Sequence, residues 1–157
     1  MTNTDKPYRF GVNVIIVDKE NRFLLIQKVG YADDKWNFVG GGREEGESLE
    51  ENMYRELYEE LGLKKEDFEL VGVSTHKITY DYPVEVALRV NGGKYRGQSY
   101  DQVVLRFIGD KEKIKYSEVE FRDHKWVEGS ELIKYLVFPN QYDSHRGAIE
   151  EVLPGII

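Results

Sequence analysis

Residues Gly41–Leu63, GGREEGESLEENMYRELYEELGL, decide how the rest of this 157-residue chain is read. Within them Met53, Leu57 and Leu61 recur at helical steps, and Ser48 with Glu51 makes a capping box ahead of that apolar run, which predicts a helix over Ser48–Leu61. Gly62 supplies the stop. At about 100° per residue, Arg55, Glu56, Glu59 and Glu60 fall within one arc of roughly 140°, and Met53, Tyr54, Leu57 and Leu61 occupy the neighbouring arc. One face is core and the adjoining face is crowded carboxylate.

Carboxylates on successive helical turns repel one another, so a positive partner is expected among them. Arg55 is the only fixed side-chain cation in the arc. Hard oxygen ligands of this kind suit Mg²⁺ or Mn²⁺ rather than zinc. Such an ion, bridging the carboxylates and a substrate's phosphates, would offset the repulsion and polarise a P–O bond. Upstream, Trp36-Asn37-Phe38-Val39 leads into Gly40-Gly41-Gly42, a stretch where backbone groups can approach a ligand with no side chain in the way. It runs toward the positive end of the helix, where phosphate oxygens are favoured. A Glu-rich amphipathic helix after a glycine turn is common in proteins without a metal. What points to chemistry is the joint occurrence of strand, glycines and ordered carboxylates.

Gly41, Glu47, Arg55, Glu56, Leu57, Glu59, Glu60, Gly62 and Leu63 fill the pattern G-x5-E-x7-R-E-U-x-E-E-x-G-U, with U apolar. This is the Nudix box, complete, and the chain resembles the Nudix branch of bacterial RNA pyrophosphohydrolases and dinucleoside tetraphosphate hydrolases. Tyr8-Arg9, Trp36-x-Phe38, Met53 to Leu57, Tyr80-Asp81-Tyr82-Pro83, Tyr95-Arg96-Gly97-Gln98 and Glu120-Phe121 ahead of Lys125-Trp126-Val127 carry the finer likeness. The resemblance implies that Glu59 and Glu60 ligate metal with the backbone carbonyl of Gly40, and that Glu56 ligates metal or takes a proton from water. It implies that Arg55 and Glu47 pair, holding the loop to the helix and leaving the other carboxylates free, and that Glu120 completes the metal site or shares the base role. Two stretches depart from the branch. Val39-Gly40-Gly41-Gly42 stands where Pro-Gln-Gly-Gly is usual, and Gln98-Ser99-Tyr100-Asp101-Gln102 stands where Gln-x-Gln-Lys-Trp is usual. The second removes a lysine and a tryptophan that could grip phosphate or stack a base.

The length and the 40% hydrophobic content fit one domain over residues 1–157, with a real core. Without cysteine there are no disulfides, thiol nucleophiles or Cys-based zinc sites. With no spanning apolar run and no signal-peptide pattern, a cytoplasmic protein with no membrane partner is expected. The formal charge of −7 is a poor footprint for a DNA duplex or any long nucleic acid. It leaves room for an RNA 5′ end, because part of that charge lies in the proposed metal site.

Phe10–Val17 and Arg22–Lys28 read as a β-hairpin about a polar turn. Trp36–Val39, Phe68–Tyr82, Val84–Val90, Gln102–Ile108 and Phe121–Val127 read as further strands or β-rich stretches, and Glu128–Leu136 and Tyr142–Leu153 as helices. That order fits an α/β/α sandwich, a mixed sheet between helices, which is also the Nudix fold. Tyr80, Tyr82, Tyr95 and Tyr100 nominate a base pocket, Tyr80 and Tyr82 first, while Arg9 and Lys28 are the cations expected near the mouth of the cleft. His76, His124 and His145 lack metal spacing and are expected to be structural. The expected activity is Mg²⁺-dependent hydrolysis of a pyrophosphate bond in a nucleoside polyphosphate, either a dinucleoside polyphosphate or a 5′-triphosphorylated RNA end. The alternatives are cleansing of free oxidised nucleotides and a Nudix module that senses nucleotide without cleaving it.

Overall fold

The computed structural model describes residues 5–157. Its first strand, β1 (Tyr8–Val17), alternates strictly: Val12, Val14 and Ile16 face one core cluster, Ile15 and Val17 the other. The turn to β2 (Phe23–Lys28) is built on Asp18, whose carboxylate accepts from the backbone N–H groups of Glu20 and Arg22 at 2.9 and 2.8 Å. The expected hairpin exists only at that turn, because β1 and β2 pair through Val17 and Phe23 and then diverge.

The gap between them is filled by β3 (Val39–Gly42), antiparallel to Gly11–Val14 of β1. The strand expected at Trp36–Val39 therefore sits later in the chain and takes in Gly40–Gly42, which in isolation suggest a loop. A Cβ on Gly40 would collide with the Val12 carbonyl, so only a bare backbone can lie this close to β1.

Helix α1 (Leu49–Leu61) has the predicted capping box, Ser48 accepting from Glu51 N and Glu51 from Ser48 N, and ends at Gly62 in the left-handed conformation, φ 69°. β4 (Phe68–Val73) and β5 (Ile78–Asp81) divide the predicted β-rich stretch. The strand expected over Val84–Val90 is absent: α2 (Val84–Ala87) and a short 3₁₀ turn stand there instead. Pro83 starts the turn, its carbonyl accepting from Val86 and Ala87, and both edges of the next strand are occupied by other strands. Val84 and Leu88 consequently point to solvent.

β6 (Gly97–Phe107) runs parallel to the whole of β1, longer than the predicted Gln102–Ile108, and pairs on its other side with β5 and then β4. β7 (Phe121–Val127) closes on β2, with a register shift at Gln27/Lys28. Two helices finish the fold, α3 (Leu132–Tyr135) and α4 (Gln141–Val152). The result is a seven-stranded mixed sheet along β4-β6-β1-β2-β7, with β3 and β5 extending it. Met53, Leu57 and Leu61 of α1 cover one face; Leu132 of α3 with Ala148 and Ile149 of α4 cover the other. This is the expected α/β/α sandwich. Among the described residues no helix is long and apolar enough to cross a membrane.

Candidate active site

Arg55 is the centre of the α1 site. Its guanidinium holds Glu47 at 2.6 and 3.0 Å, donates to the Gly42 carbonyl at 2.8 Å, and reaches Glu56 and Glu59 at 3.0 and 3.1 Å. The Glu47 pairing is the expected one, and it pulls the Glu47 carboxyl below the usual carboxylate range. The expectation that the other carboxylates stay free is corrected, because the planar fork has enough donors to serve Glu56 and Glu59 as well. Asn52, fully buried, adds a second tether from α1, its amide donating toward the Gly41 and Gly42 carbonyls at 3.4 and 3.2 Å. The glycine strand is thus pressed against the helix. A Cβ on Gly41 would overlap the Glu56 carboxylate.

The carboxylates differ in setting. Glu59 is exposed, whereas Glu56 and Glu60 are 9% and 7% exposed. Burial, and then the hydrogen bond and charge of Glu56, push the Glu60 carboxyl well above the usual range; Lys28 opposes this and Glu120 adds to it. A carboxyl so placed gains most from a cation beside it. Glu120 comes into this field because its carbonyl accepts from Val29 N at 3.0 Å, beside the end of β2. Among the described residues no three acidic or imidazole side chains are grouped as a metal site, and Arg55 spans Glu56 and Glu59 instead. The donor set nonetheless fits a hard divalent ion: carboxylate oxygens with no nitrogen or sulfur among them, with the Glu56 carboxylate against the bare backbone of Gly41.

A cleft of about 1100 Å³ opens beside these residues. Gly40, Gly41, Glu60, Lys28 and Tyr80 line it, so the predicted glycine, carboxylate, cation and tyrosine meet in one space. Arg9 instead lies over Gly42 and close enough to Tyr100 to act on its hydroxyl, whose pKa burial nevertheless raises to about 12. Tyr82 is not on the cleft wall. It is buried edge-on behind Tyr80, ring centroids 6.0 Å apart. Asp81 accepts from Tyr8 Oη at 2.6 Å and pairs with Arg96 at 2.8 Å, while Arg96 lies 4.7 Å over the Tyr8 ring. The outer motifs at Tyr8, Asp81 and Arg96 are therefore a clasp joining β1, β5 and β6, and that clasp positions Tyr80.

The far wall was not singled out as a site from the sequence. Tyr31, Asn37, Phe38, His76, Lys77 and residues 138–141 and 143–145 form much of it. They come from separate loops and the start of α4, with no shared spacing that a pattern could reveal. The loop before Trp36 is pinned by Gln27, whose amide donates to the Asp33 and Lys35 carbonyls at 2.9 and 3.2 Å.

The chain is similar to known proteins in sequence and in fold. Residues 7–151 match the NUDIX domain family model. The chain is 33% identical over 157 residues to an RNA pyrophosphohydrolase of Sphingopyxis alaskensis, covering 98% of this chain and 99% of that one. An RNA pyrophosphohydrolase of Cereibacter sphaeroides is also 33% identical, over 83% of this chain and 82% of its own. Two solved structures share the fold. The Escherichia coli dihydroneopterin triphosphate pyrophosphohydrolase has TM-score 0.67 and 22% identity, over 93% of this chain and 97% of that one. A Caenorhabditis elegans Ap4A hydrolase complex has TM-score 0.62 and 20% identity, over 87% and 92%.

Proposed function

The chain belongs to the Nudix family, and from that premise we propose that it is a single-domain, Mg²⁺-dependent enzyme that removes pyrophosphate from the 5′-triphosphate end of RNA. It hydrolyses a pyrophosphate linkage in a nucleoside polyphosphate, an acid anhydride. The observation that carries the reading is the glycine strand held by Arg55 and Asn52 against Glu56 and Glu60, at the edge of a cleft large enough for a nucleotide. The RNA end is preferred to a dinucleoside polyphosphate because the relatives that match nearly the whole chain are RNA pyrophosphohydrolases. The acidic chain suits recognition of an end rather than a long strand.

Glu56, Glu59, Glu60, Glu120 and the Gly40 carbonyl would hold the metal, Mn²⁺ serving as well as Mg²⁺. Bound there, it neutralises phosphate charge and polarises the scissile P–O bond. Glu56 or Glu120 takes a proton from water as the water oxygen bonds to phosphorus, and the bridging oxygen leaves with the departing phosphate. Lys28 on the cleft wall and Arg9 over Gly42 meet phosphate oxygens. Tyr80, backed by Tyr82, offers a face to a base.

Product analysis with Mg²⁺ tests this on triphosphorylated RNA and diadenosine tetraphosphate, with Glu59→Gln as control. Pyrophosphate release leaving a 5′-monophosphate RNA, absent in the variant, is expected. ATP plus AMP from the dinucleotide alone would transfer the assignment to that substrate. Cleavage only of free oxidised triphosphates would move it to nucleotide cleansing, and no cleavage of any would leave a sensing module.

A further inference from the structure

The wall of the cleft formed by α4 carries a histidine that the hydrolysis does not use. His145 is 2% exposed and stands edge-on to Phe38, ring centroids 4.8 Å apart. Its Nδ1 is 2.7 Å from Gln102 Oε1. The Gln102 amide is oriented by its other end, because Nε2 donates to the carbonyls of His76 and Ser144, each at 3.0 Å. Turned over, the amide would face its oxygen to two carbonyl oxygens. Gln102 Oε1 is therefore an acceptor, and His145 Nδ1 carries the proton.

That leaves Nε2 of the neutral ring as a bare acceptor. Among the described residues, the buried side-chain nitrogens and oxygens without a partner are Arg43 Nε, Asn52 Oδ1 and Tyr82 Oη. His145 Nε2 has no protein partner and is not among them, so it opens to the cleft whose wall His145 helps to form. Burial pushes the imidazole down to about 4, so it stays neutral near pH 7 and cannot become a donor there. An unprotonated nitrogen repels phosphate oxygens, which at that pH are acceptors too. It accepts from an amino group or a hydroxyl, and on a nucleotide those sit on the nucleoside. Tyr80, Tyr100 and Phe138 of the same cleft supply aromatic surface for a base.

We propose that His145 Nε2 is a specificity-determining acceptor that reads a hydrogen-bond donor on the substrate's nucleoside, with Gln102 as the positioning residue that sets the ring's tautomer. The inference rests on the nucleoside polyphosphate reading. Gln102 falls in the stretch Gln98–Gln102, where this chain departs from the branch it resembles.

Nitrogen-15 NMR of the histidine rings in the Mg²⁺-loaded protein reads the group directly. Without nucleotide, His145 is expected to show a protonated Nδ1 and a bare Nε2; the opposite tautomer overturns the proposal. Titration then uses ATP, purine riboside triphosphate, which lacks the 6-amino group, and 2′,3′-dideoxy-ATP. An Nε2 shift with ATP that fails with the amino-less analogue assigns the base edge; one that fails with the dideoxy analogue assigns the sugar. A shift with all three, or with none, overturns the proposal. In His145→Leu the preference for the donor-bearing triphosphate in kcat/KM, about tenfold in the wild type, should vanish, and its persistence counts against the assignment. Turnover with a silent His145 removes this inference and leaves the hydrolase. A responsive ring without turnover on any nucleotide does the reverse.

Discussion

Helices α1 and α4 cover opposite faces of one sheet and are nearly equal in length, 13 and 12 residues, yet they are held in different ways. The ends of α1 are self-contained, with a reciprocal capping box at Ser48 and a left-handed glycine at Gly62. α4 starts after Asn140, itself left-handed at φ 63°, with no side-chain cap. Its first turn is tied to distant chain: Gln141 donates to the Trp36 carbonyl at 2.7 Å, and Gln102 to that of Ser144 at 3.0 Å. A locally secured helix can carry repelling carboxylates because its fold does not depend on them. A helix placed by tertiary hydrogen bonds instead makes the wall of a cleft, and its position is only as firm as those bonds.

The largest effect should appear on α1 and leave the fold alone. Glu59→Gln and Glu60→Gln are each expected to lower turnover by about 10²–10⁴-fold with an unchanged circular dichroism spectrum. Near-normal rates in both would remove the catalytic role from that helix.

The reverse pattern is expected for α4. Gln102→Leu leaves the His76 carbonyl and the His145 N–H without this partner and removes the second bond to the helical Ser144 carbonyl, and should cost about 3 kcal/mol in denaturant unfolding. A loss below that of a surface substitution would show that α4 is secured some other way.

His145 should make the α4 side sensitive to acid. Its folded pKa is lowered from 6.5 to about 4, so the unfolded chain binds the proton first as pH falls. The stabilisation is complete above 6.5 and is lost between 6.5 and about 4, a change of about 3 kcal/mol at most. The difference in stability between wild type and His145→Leu, followed across that window, isolates this group from other titrations. A constant difference would sink the assignment.

The smallest effect belongs to the cap. Ser48→Ala should cost about 1 kcal/mol, read as a lowered melting temperature with kcat little changed. A larger loss than Gln102→Leu would invert the comparison between the helices.

The carboxylate half of the site was legible because its determinants are close in sequence: capping, helical period and glycine spacing are all local. The misreadings fall where a segment's partner decides its state. Gly40–Gly42 reads as loop in isolation and becomes strand because β1 offers an edge that only glycine can approach. Val84–Val90 has strand composition and turns helical after Pro83, whose carbonyl accepts from Val86 and Ala87, while both edges of β6 are taken by other strands. Tyr82 reads as a face of the base pocket and is instead buried behind Tyr80, next to the clasp through Asp81.

The sequence by itself determined helix α1 with its caps, the set of hard oxygen donors on one of its faces, and the alternation that makes β1 two-sided. Those follow from backbone period and side-chain chemistry within a few residues. Only the tertiary structure decided that β2 swings away from β1, that β3 enters the gap, and that buried Gln102 meets His145, 43 positions away, on the wall of the same cleft as Glu60. Contacts of that kind depend on which strand edges and faces remain free once the sheet has formed, and no local pattern records that competition.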